Sequence, residues 1–203
     1  MKISATILAA GSSNRMGDLN KLLLLINERP IINLVCTTAL ETNLNPIVVV
    51  TGYQHIKVEK AIPNKSVRLI HNKNWKKGMM SSICVGISVL DESVNGNMII
   101  LGDMPFITKD TLDVLIKKFI KYRGQNIIFP LYKSKQANPV IFPKKLFPEI
   151  LLSRGDIGCK KIIEKYKQNT TGVTIDSDEV ILDCDTRDDY LLAQMKKTNH
   201  VQT

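Results

Sequence analysis

The chain has 203 residues, of which 44% are hydrophobic and 23% are charged. This size and composition suit one compact domain with a substantial core, and they exclude a disordered chain. The sequence has no apolar stretch near the roughly 20 residues that span a bilayer, and no apolar leader ending in a cleavage site. We therefore expect a single cytoplasmic domain, residues 1–203, that does not enter a membrane.

Charge and cysteine content exclude further classes of binding site. The formal net charge is +9, but the basic residues are scattered and aromatic residues make up only 5% of the chain. A single-strand nucleic-acid site combines a basic groove with stacking aromatic side chains, so we expect no nucleic-acid partner. The charge fits either a lysine-rich solvated surface or a field that gathers polyanionic substrates. The four cysteines lie far apart without a CxxC pair, which excludes a zinc knuckle and a disulfide framework.

Segments typical of strands alternate with segments typical of helices along the chain. Short apolar and β-branched runs predict strands at residues 3–9, 46–51, 67–70, 98–101, 126–130 and 139–142. Apolar residues at three- and four-residue spacing predict helices at residues 30–44, 81–90, 108–122, 144–152, 158–166 and 187–197, with Thr108 as an N-cap. This alternation implies right-handed βαβ units. We therefore expect an α/β, Rossmann-like single domain with a mostly parallel sheet flanked by helices.

The loop after the first predicted strand has unusual chemistry. In an open α/β sheet the ligand binds beyond the carboxyl ends of the strands, and residues 8–17 there read Leu-Ala-Ala-Gly-Ser-Ser-Asn-Arg-Met-Gly. Glycine lets the backbone approach a ligand closely, and successive backbone N–H groups form a concave anion site. Arg15 adds a fork of donors for phosphate oxygens, and Lys21 adds a compact charge. The common GxxxxGK[ST] and GxGxxG loops are both absent, so these residues predict a triphosphate cradle of another type.

The stretch Leu8-Ala9-Ala10-Gly11-x-Ser13-x-Arg15-Met16-Gly17, followed by Lys21, resembles the signature of the molybdenum cofactor nucleotidyltransferases. The resemblance implies a nucleotide-diphospho-sugar-transferase type of fold and transfer of a nucleotidyl group from a triphosphate, with Mg²⁺ as cofactor. It implies Arg15, Lys21 and Asp103 as the catalytic residues. The nucleotide-binding residues that it implies are Leu8, Ala9, Ala10, Gly11, Ser12, Ser13, Arg15, Lys21, Gly78, Ser81, Ser82 and Gly102.

Two acidic segments contain the expected metal ligands. Asp103 follows the predicted strand at residues 98–101, where one carboxylate can hold Mg²⁺ together with waters and substrate phosphates. The Gly-Asp-Met-Pro turn around it resembles the family's metal-binding turn. Residues 180–190 resemble the family's Asp-x-Asp-Thr-Pro-x-Asp segment, which implies Asp185 as the second ligand. Alternation along a strand would place Asp183 on the same side, so Asp183 is the alternate ligand.

Three later segments also resemble the family. Residues 71–83 are similar to the segment that closes over the nucleoside, which implies a position near base and ribose for Gly78 and the serine hydroxyls. Residues 137–142 and 154–158 are similar to segments on the acceptor side, which implies acceptor contacts at Asn138, Pro139 and Asp156. The expected division is therefore a nucleotide-binding part over residues 1–105 and an acceptor-binding part over residues 106–198. Taken alone, Trp75 is more typical of a packing residue.

The choice of the donor's base rests on one position. Guanylyl-transferring members commonly have Gly-Gly where this chain has Ala10-Gly11, whereas cytidylyl-transferring members resemble Ala-Ala-Gly. The resemblance therefore implies CTP as donor. Arg15-Met16-Gly17 together with Gly102-Asp103-Met104-Pro105 resembles the cofactor branch, which implies the phosphate of molybdopterin as acceptor and a client molybdoenzyme of the xanthine dehydrogenase type as a partner. The alternatives are GTP as donor, a sugar phosphate or alcohol phosphate as acceptor, and a chaperone that delivers the cofactor without chemistry.

Overall fold

The computed structural model describes residues 1–13, 19–62, 66–155 and 158–199. Its strands form an eight-stranded sheet and a separate two-stranded hairpin. The strands are β1 (Lys2–Ala9), β2 (Leu25–Ile26), β3 (Arg29–Pro30), β4 (Ile47–Thr51), β5 (Arg68–His71), β6 (Val94–Leu101), β7 (Ile127–Tyr132), β8 (Lys135–Gln136), β9 (Val140–Pro143) and β10 (Thr170–Thr174). The helices are α1 (Ile31–Leu40), α2 (His55–Ala61), α3 (Met79–Ser88), α4 (Lys109–Lys121), α5 (Phe147–Leu152), α6 (Lys160–Lys165) and α7 (Arg187–Asn199).

The large sheet is mostly parallel, which confirms the predicted fold class. Its strand order is β10-β7-β9-β6-β1-β4-β5, with β8 paired to β7 outside this path. Strands β5, β4, β1 and β6 are parallel neighbours, and β10 is parallel to β7. Strand β9 runs antiparallel to both β6 and β7, and β8 is a short antiparallel addition. Because β1 and β6 are parallel neighbours, the loops after both strands leave the same edge of the sheet.

Two apolar layers cover the two faces of this sheet. Alternate residues of β1, from Ile3 to Ala9, pack on one side in a cluster that includes residues of α1, α2 and α4. On the other side, a second cluster joins sheet residues to α3, α5 and α6. A central strand covered on both faces must be apolar or small throughout, which explains the buried run in β1. A third, smaller cluster packs α7 against the β2–β3 hairpin and α1.

Most of the predicted elements are present with their ends shifted by a few residues. Thr108 is the N-cap of α4, where its side chain accepts a hydrogen bond from the backbone N–H of Thr111. Helix α1 ends at Leu40, before the predicted residue 44. Strands β2, β3, β8 and β10 and helix α2 had not been predicted, because they are short or lack a continuous apolar run. No helix of the described residues is long and apolar enough to cross a membrane.

Helix α3 lies very close to β1 because Gly86 faces Thr6. A Cβ atom added at Gly86 would lie 2.2 Å from Thr6 Cγ2 and 2.7 Å from Thr6 Oγ1. Real Cβ atoms do not approach other atoms so closely, so a side chain at position 86 would push the helix off the strand. Glycine here therefore fixes the distance between the sheet and the helix whose first turn borders the cavity described below.

We expect Gly86→Ala to destabilise the protein by about 1–3 kcal/mol, the usual effect of overpacking a core. If position 86 had open space beside it, the same change would stabilise the helix by roughly 0.5–1 kcal/mol. The sign of the change in stability therefore shows whether Gly86 is tightly packed. Urea unfolding measures it. Thr6→Ala removes both of the atoms closest to the added Cβ, so the double variant should be more stable than Gly86→Ala alone. A double variant no more stable than the single one would contradict this packing.

Candidate active site

The ends of β1 and β6 bring two of the predicted loops into contact. The backbone N–H of Gly102 donates a 3.0 Å hydrogen bond to the carbonyl oxygen of Leu8, the residue paired with Leu101 in the sheet. A Cβ atom at Gly102 would lie 2.6 Å from that same oxygen, so only glycine allows the two backbones to approach this closely. The loop that begins at Ala10 and the turn that carries Asp103 are therefore side by side.

A cavity of about 460 Å³ opens at this edge of the sheet. The end of β1 and the loop after it contribute Leu8, Ala10, Gly11 and Ser12 to its wall. A Cβ atom at Gly11 would meet no atom within 4 Å, so the backbone there faces open space in which a ligand can approach it. Ala9, by contrast, is buried in the core and does not line the cavity. Arg15 lies outside the described residues.

Ser13 links this loop to Lys21. It has a left-handed backbone conformation, with φ of 56°, and its hydroxyl accepts a 3.1 Å hydrogen bond from the backbone N–H of Lys21. Lys21 begins a 3-10 turn, Lys21–Leu23, that is capped by the side chain of Asn20. The cap and the Ser13 bond hold the backbone of Lys21 beside the loop, so that its long side chain reaches across the cavity.

The amine of Lys21 forms ion pairs with Asp103 Oδ2 and Asp185 Oδ1. The Lys21 and Asp103 side chains are only 13% and 15% exposed, and the Asp185 side chain is 33% exposed. Burial by itself lowers the pKa of Lys21, but the two carboxylates outweigh burial and raise the pKa above its ordinary value. Lys21 is therefore fully protonated near neutral pH, and it neutralises part of the acidic charge in the cavity.

The acidic segment near the C-terminus reaches the cavity as an irregular chain. The predicted strand through Asp183 and Asp185 is wrong, because residues 182–185 belong to no strand or helix. Instead, the backbone N–H of Cys184 donates a 3.0 Å hydrogen bond to the carbonyl oxygen of Asp103, and the Cys184 side chain is buried in the small apolar cluster. Asp183 and Asp185 nevertheless both line the cavity.

The three carboxylates concentrate negative charge in a partly buried space. Burial, followed by repulsion from Asp185 and Asp103, raises the pKa of Asp183 to about 6. Asp103 Oδ1 is buried and has no hydrogen-bond partner in the described part of the protein. An acceptor oxygen left in this state fits a cation that arrives with a ligand.

The donor set fits a magnesium ion that is shared with a substrate. Among the described residues, no three His, Cys, Asp or Glu side chains form a group that could hold a metal by themselves. Mg²⁺ is usually bound through one or two carboxylates, with waters and substrate phosphates filling the remaining positions. Asp103 and Asp185 supply such a pair, and Asp183 borders the same space.

The segment after β5 forms the opposite wall of the cavity. Asn72 is buried, and its side-chain amide donates hydrogen bonds to the hydroxyls of Ser81 and Ser82 at 2.9 and 3.0 Å. Gly78 has a φ of 92° and precedes α3, so Gly78 and the first turn of α3 border the cavity. Of the two serines, Ser82 lines the cavity, whereas the Ser81 hydroxyl donates to the carbonyl oxygen of Gly78.

Sequence reasoning missed several of the residues that line the cavity. Trp75 was interpreted as a packing residue, yet it lines the cavity, and its ring also contacts that of Tyr53 with centroids 5.7 Å apart. The available signal was its place within residues 71–83, the segment that resembles the one closing over the nucleoside. Lys76, Leu22, Met79 and Leu101 complete the missed lining residues.

Two of the residues predicted to contact the acceptor, Asn138 and Pro139, lie away from this cavity. The backbone N–H of Asn138 donates a 3.2 Å hydrogen bond to the carbonyl oxygen of Val180. Pro139 is buried, and Asp156 lies outside the described residues. Asn138 therefore supports the segment that leads from Val180 to Asp183.

Comparison with known proteins matches the sequence of this chain to a family. A model of the MobA-like NTP transferase domain matches residues 5–170. The chain is 26% identical to the molybdenum cofactor cytidylyltransferase of Escherichia coli K12 over 197 residues, which is 97% of each protein.

Solved structures support the fold. Rv0371c from Mycobacterium tuberculosis H37Rv superposes with a TM-score of 0.85 at 23% identity, covering 96% of this chain and 98% of that one. A complex of Rv0371c with manganese superposes with a TM-score of 0.80 at 21% identity, covering 96% of this chain and 99% of that one. Because the family model covers well over half of the sequence, the chain belongs to the MobA-like NTP transferase domain family and is a nucleotidyltransferase.

Proposed function

We propose that this enzyme transfers a cytidylyl group from CTP to the phosphate of molybdopterin, forming the cytosine dinucleotide cofactor and releasing pyrophosphate. The observation that carries the proposal is the convergence of Lys21, Asp103 and Asp185 beside the Ala10–Ser12 loop, at the edge of the sheet where the cavity opens. The similarity along nearly the whole chain to a molybdenum cofactor cytidylyltransferase supports the choice of donor and acceptor.

The proposed reaction needs positioning and charge neutralisation and no covalent enzyme intermediate. An oxygen of the acceptor phosphate attacks the α-phosphorus of CTP in line, and the bond from that phosphorus to the bridging oxygen breaks as pyrophosphate leaves. The attacking phosphate is already anionic near neutral pH, so no strong general base is required. Catalysis of this kind rests on orientation and on electrostatic stabilisation of the transferring phosphate.

Each group in the cavity has a role in this scheme. Lys21 offsets charge on the triphosphate and on the departing pyrophosphate, and the loop amides after Leu8 hold phosphate oxygens. Asp103 and Asp185 would hold Mg²⁺, which supplies further neutralisation of the phosphate oxygens. Ser82 and Trp75 border the space left for the nucleoside. Arg15 stays assigned to the triphosphate and Asn138, Pro139 and Asp156 to the acceptor part, residues 106–198, as predictions from the sequence.

The direct test is pyrophosphate release from CTP and, separately, from GTP, with Mg²⁺, in the presence and absence of purified molybdopterin. The proposal predicts release from CTP that depends on molybdopterin. Release from GTP alone, or equal release with a sugar phosphate as acceptor, would overturn the assignment of substrates while leaving the family unchanged. Binding of CTP without any release would favour a carrier over an enzyme.

We expect Lys21→Ala and Asp103→Asn each to lower turnover by roughly 10²-fold or more, the scale for removing one preorganised electrostatic group. The steady-state rate of pyrophosphate release measures this. Lys109 and Asp113 form an ion pair on α4 outside the cavity, so Lys109→Ala and Asp113→Asn are matched controls that should keep near-normal rates. Near-normal rates in the Lys21 or Asp103 variant would refute the site.

The methyl group of Ala10 is expected to restrict the base that the cavity accepts. Removing it in Ala10→Gly should shift the ratio of CTP to GTP affinity towards GTP by about tenfold, the order of effect of one methyl group in a pocket. Fluorescence of Trp75, the only tryptophan, reports binding because its ring borders the cavity. Ala9→Gly adds the same backbone freedom outside the cavity and should leave the ratio unchanged. Tighter binding of GTP than of CTP by the unmodified enzyme would contradict this interpretation of Ala10.

A further inference from the structure

The Lys21 amine lies between the two carboxylates that are the proposed metal ligands. It contacts one oxygen of Asp103 and one oxygen of Asp185 at the same time. A divalent cation held by the same two carboxylates would come into contact with the amine. An ammonium and a divalent cation in contact repel each other strongly, most of all where the surrounding side chains are largely shielded from water, as Lys21 and Asp103 are. The Lys21 amine and a divalent cation therefore exclude each other from the space beside the two carboxylates.

The structure also contains the means to move the amine. The backbone of Lys21 is held by the Ser13 hydroxyl and by the Asn20 cap, whereas the side chain has four rotatable carbons and a point charge without a fixed geometry. A triphosphate bound on the Ala10–Ser12 loop would lie beside this backbone and would offer the amine a second set of anionic oxygens. The amine can then leave the carboxylates without any movement of the main chain.

We propose that Lys21 closes the metal site of the nucleotide-free enzyme and that the triphosphate opens it by drawing the amine away from Asp103 and Asp185. The inference rests on the proposed function, since it takes both the metal ligands and the triphosphate site from it. Free metal ion then binds poorly to the enzyme alone and well in the presence of nucleotide. Because binding couplings are reciprocal, metal raises the affinity for CTP by the same factor by which CTP raises the affinity for metal.

Mn²⁺ binding followed by its electron paramagnetic resonance signal tests this, because free and bound Mn²⁺ are counted without any turnover. We expect weak Mn²⁺ binding by the unmodified enzyme, and at least about tenfold tighter binding by nucleotide-free Lys21→Met, within the usual range for coupled sites. Lys21→Gln is the second variant, and thermal unfolding of each variant confirms that it is folded. The increase in Mn²⁺ affinity on addition of CTP should be correspondingly smaller in both Lys21 variants.

A matched control separates occupation of the site from a general charge effect. Lys76 lines the same cavity, but its amine lies over the Trp75 ring, 5.6 Å from the ring centroid. Lys76→Met removes the same charge from the cavity and should leave Mn²⁺ affinity near that of the unmodified enzyme. Equal gains in the Lys76 and Lys21 variants would overturn the proposal, as would tight Mn²⁺ binding by the unmodified enzyme without nucleotide.

One more variant distinguishes failure of this inference from failure of the proposed function. Asp103→Asn removes a proposed ligand and should abolish the Mn²⁺ binding gained in the Lys21→Met background. If binding of Mn²⁺ with CTP survives Asp103→Asn, the metal assignment itself is wrong. If Asp103 is required but Lys21→Met binds Mn²⁺ no better than the unmodified enzyme, only the closing role of Lys21 is wrong.

Discussion

The ion pairs of Lys21 with Asp103 and Asp185 join three segments of the chain that are far apart in sequence. Lys21 is 82 positions from Asp103 and 164 positions from Asp185. The parallel pairing of β1 with β6 brings the first two segments together, because the loops that follow neighbouring parallel strands leave the same edge of a sheet. The third segment, which carries Asp185, is held by the backbone hydrogen bond between Cys184 and Asp103 and by the packing of Cys184 against α7 and the β2–β3 hairpin. The cavity depends on all three attachments.

Much of the fold and part of the site follow from local sequence patterns. The central strands were predictable because they are covered on both faces, which requires a continuous run of apolar or small residues such as that of β1 and β4. The positions of the loop after Leu8 and of Asp103 followed from the rule that ligands bind beyond strand ends. Both the loop and Asp103 line the cavity.

The remaining features depend on contacts between distant parts of the chain. Asp185 reaches the cavity through an irregular segment that one backbone hydrogen bond and one buried cysteine hold in place, and no local pattern encodes either contact. Trp75 is an exception, because Asn72 and Gly78, which shape the turn before α3, each lie only three positions from it in the sequence. The antiparallel direction of β9 also depends on pairing partners that a single strand does not reveal.

We propose that Lys21, Asp103 and Asp185 form one centre for metal and triphosphate. The most direct measurement is a crystal structure with Mn²⁺ and a non-hydrolysable CTP analogue, in which anomalous scattering locates the metal. We expect one manganese peak in contact with Asp103 and Asp185, with the Lys21 amine on phosphate oxygens. A manganese peak elsewhere, or a bound triphosphate with the Lys21 amine still between the two carboxylates, would contradict it.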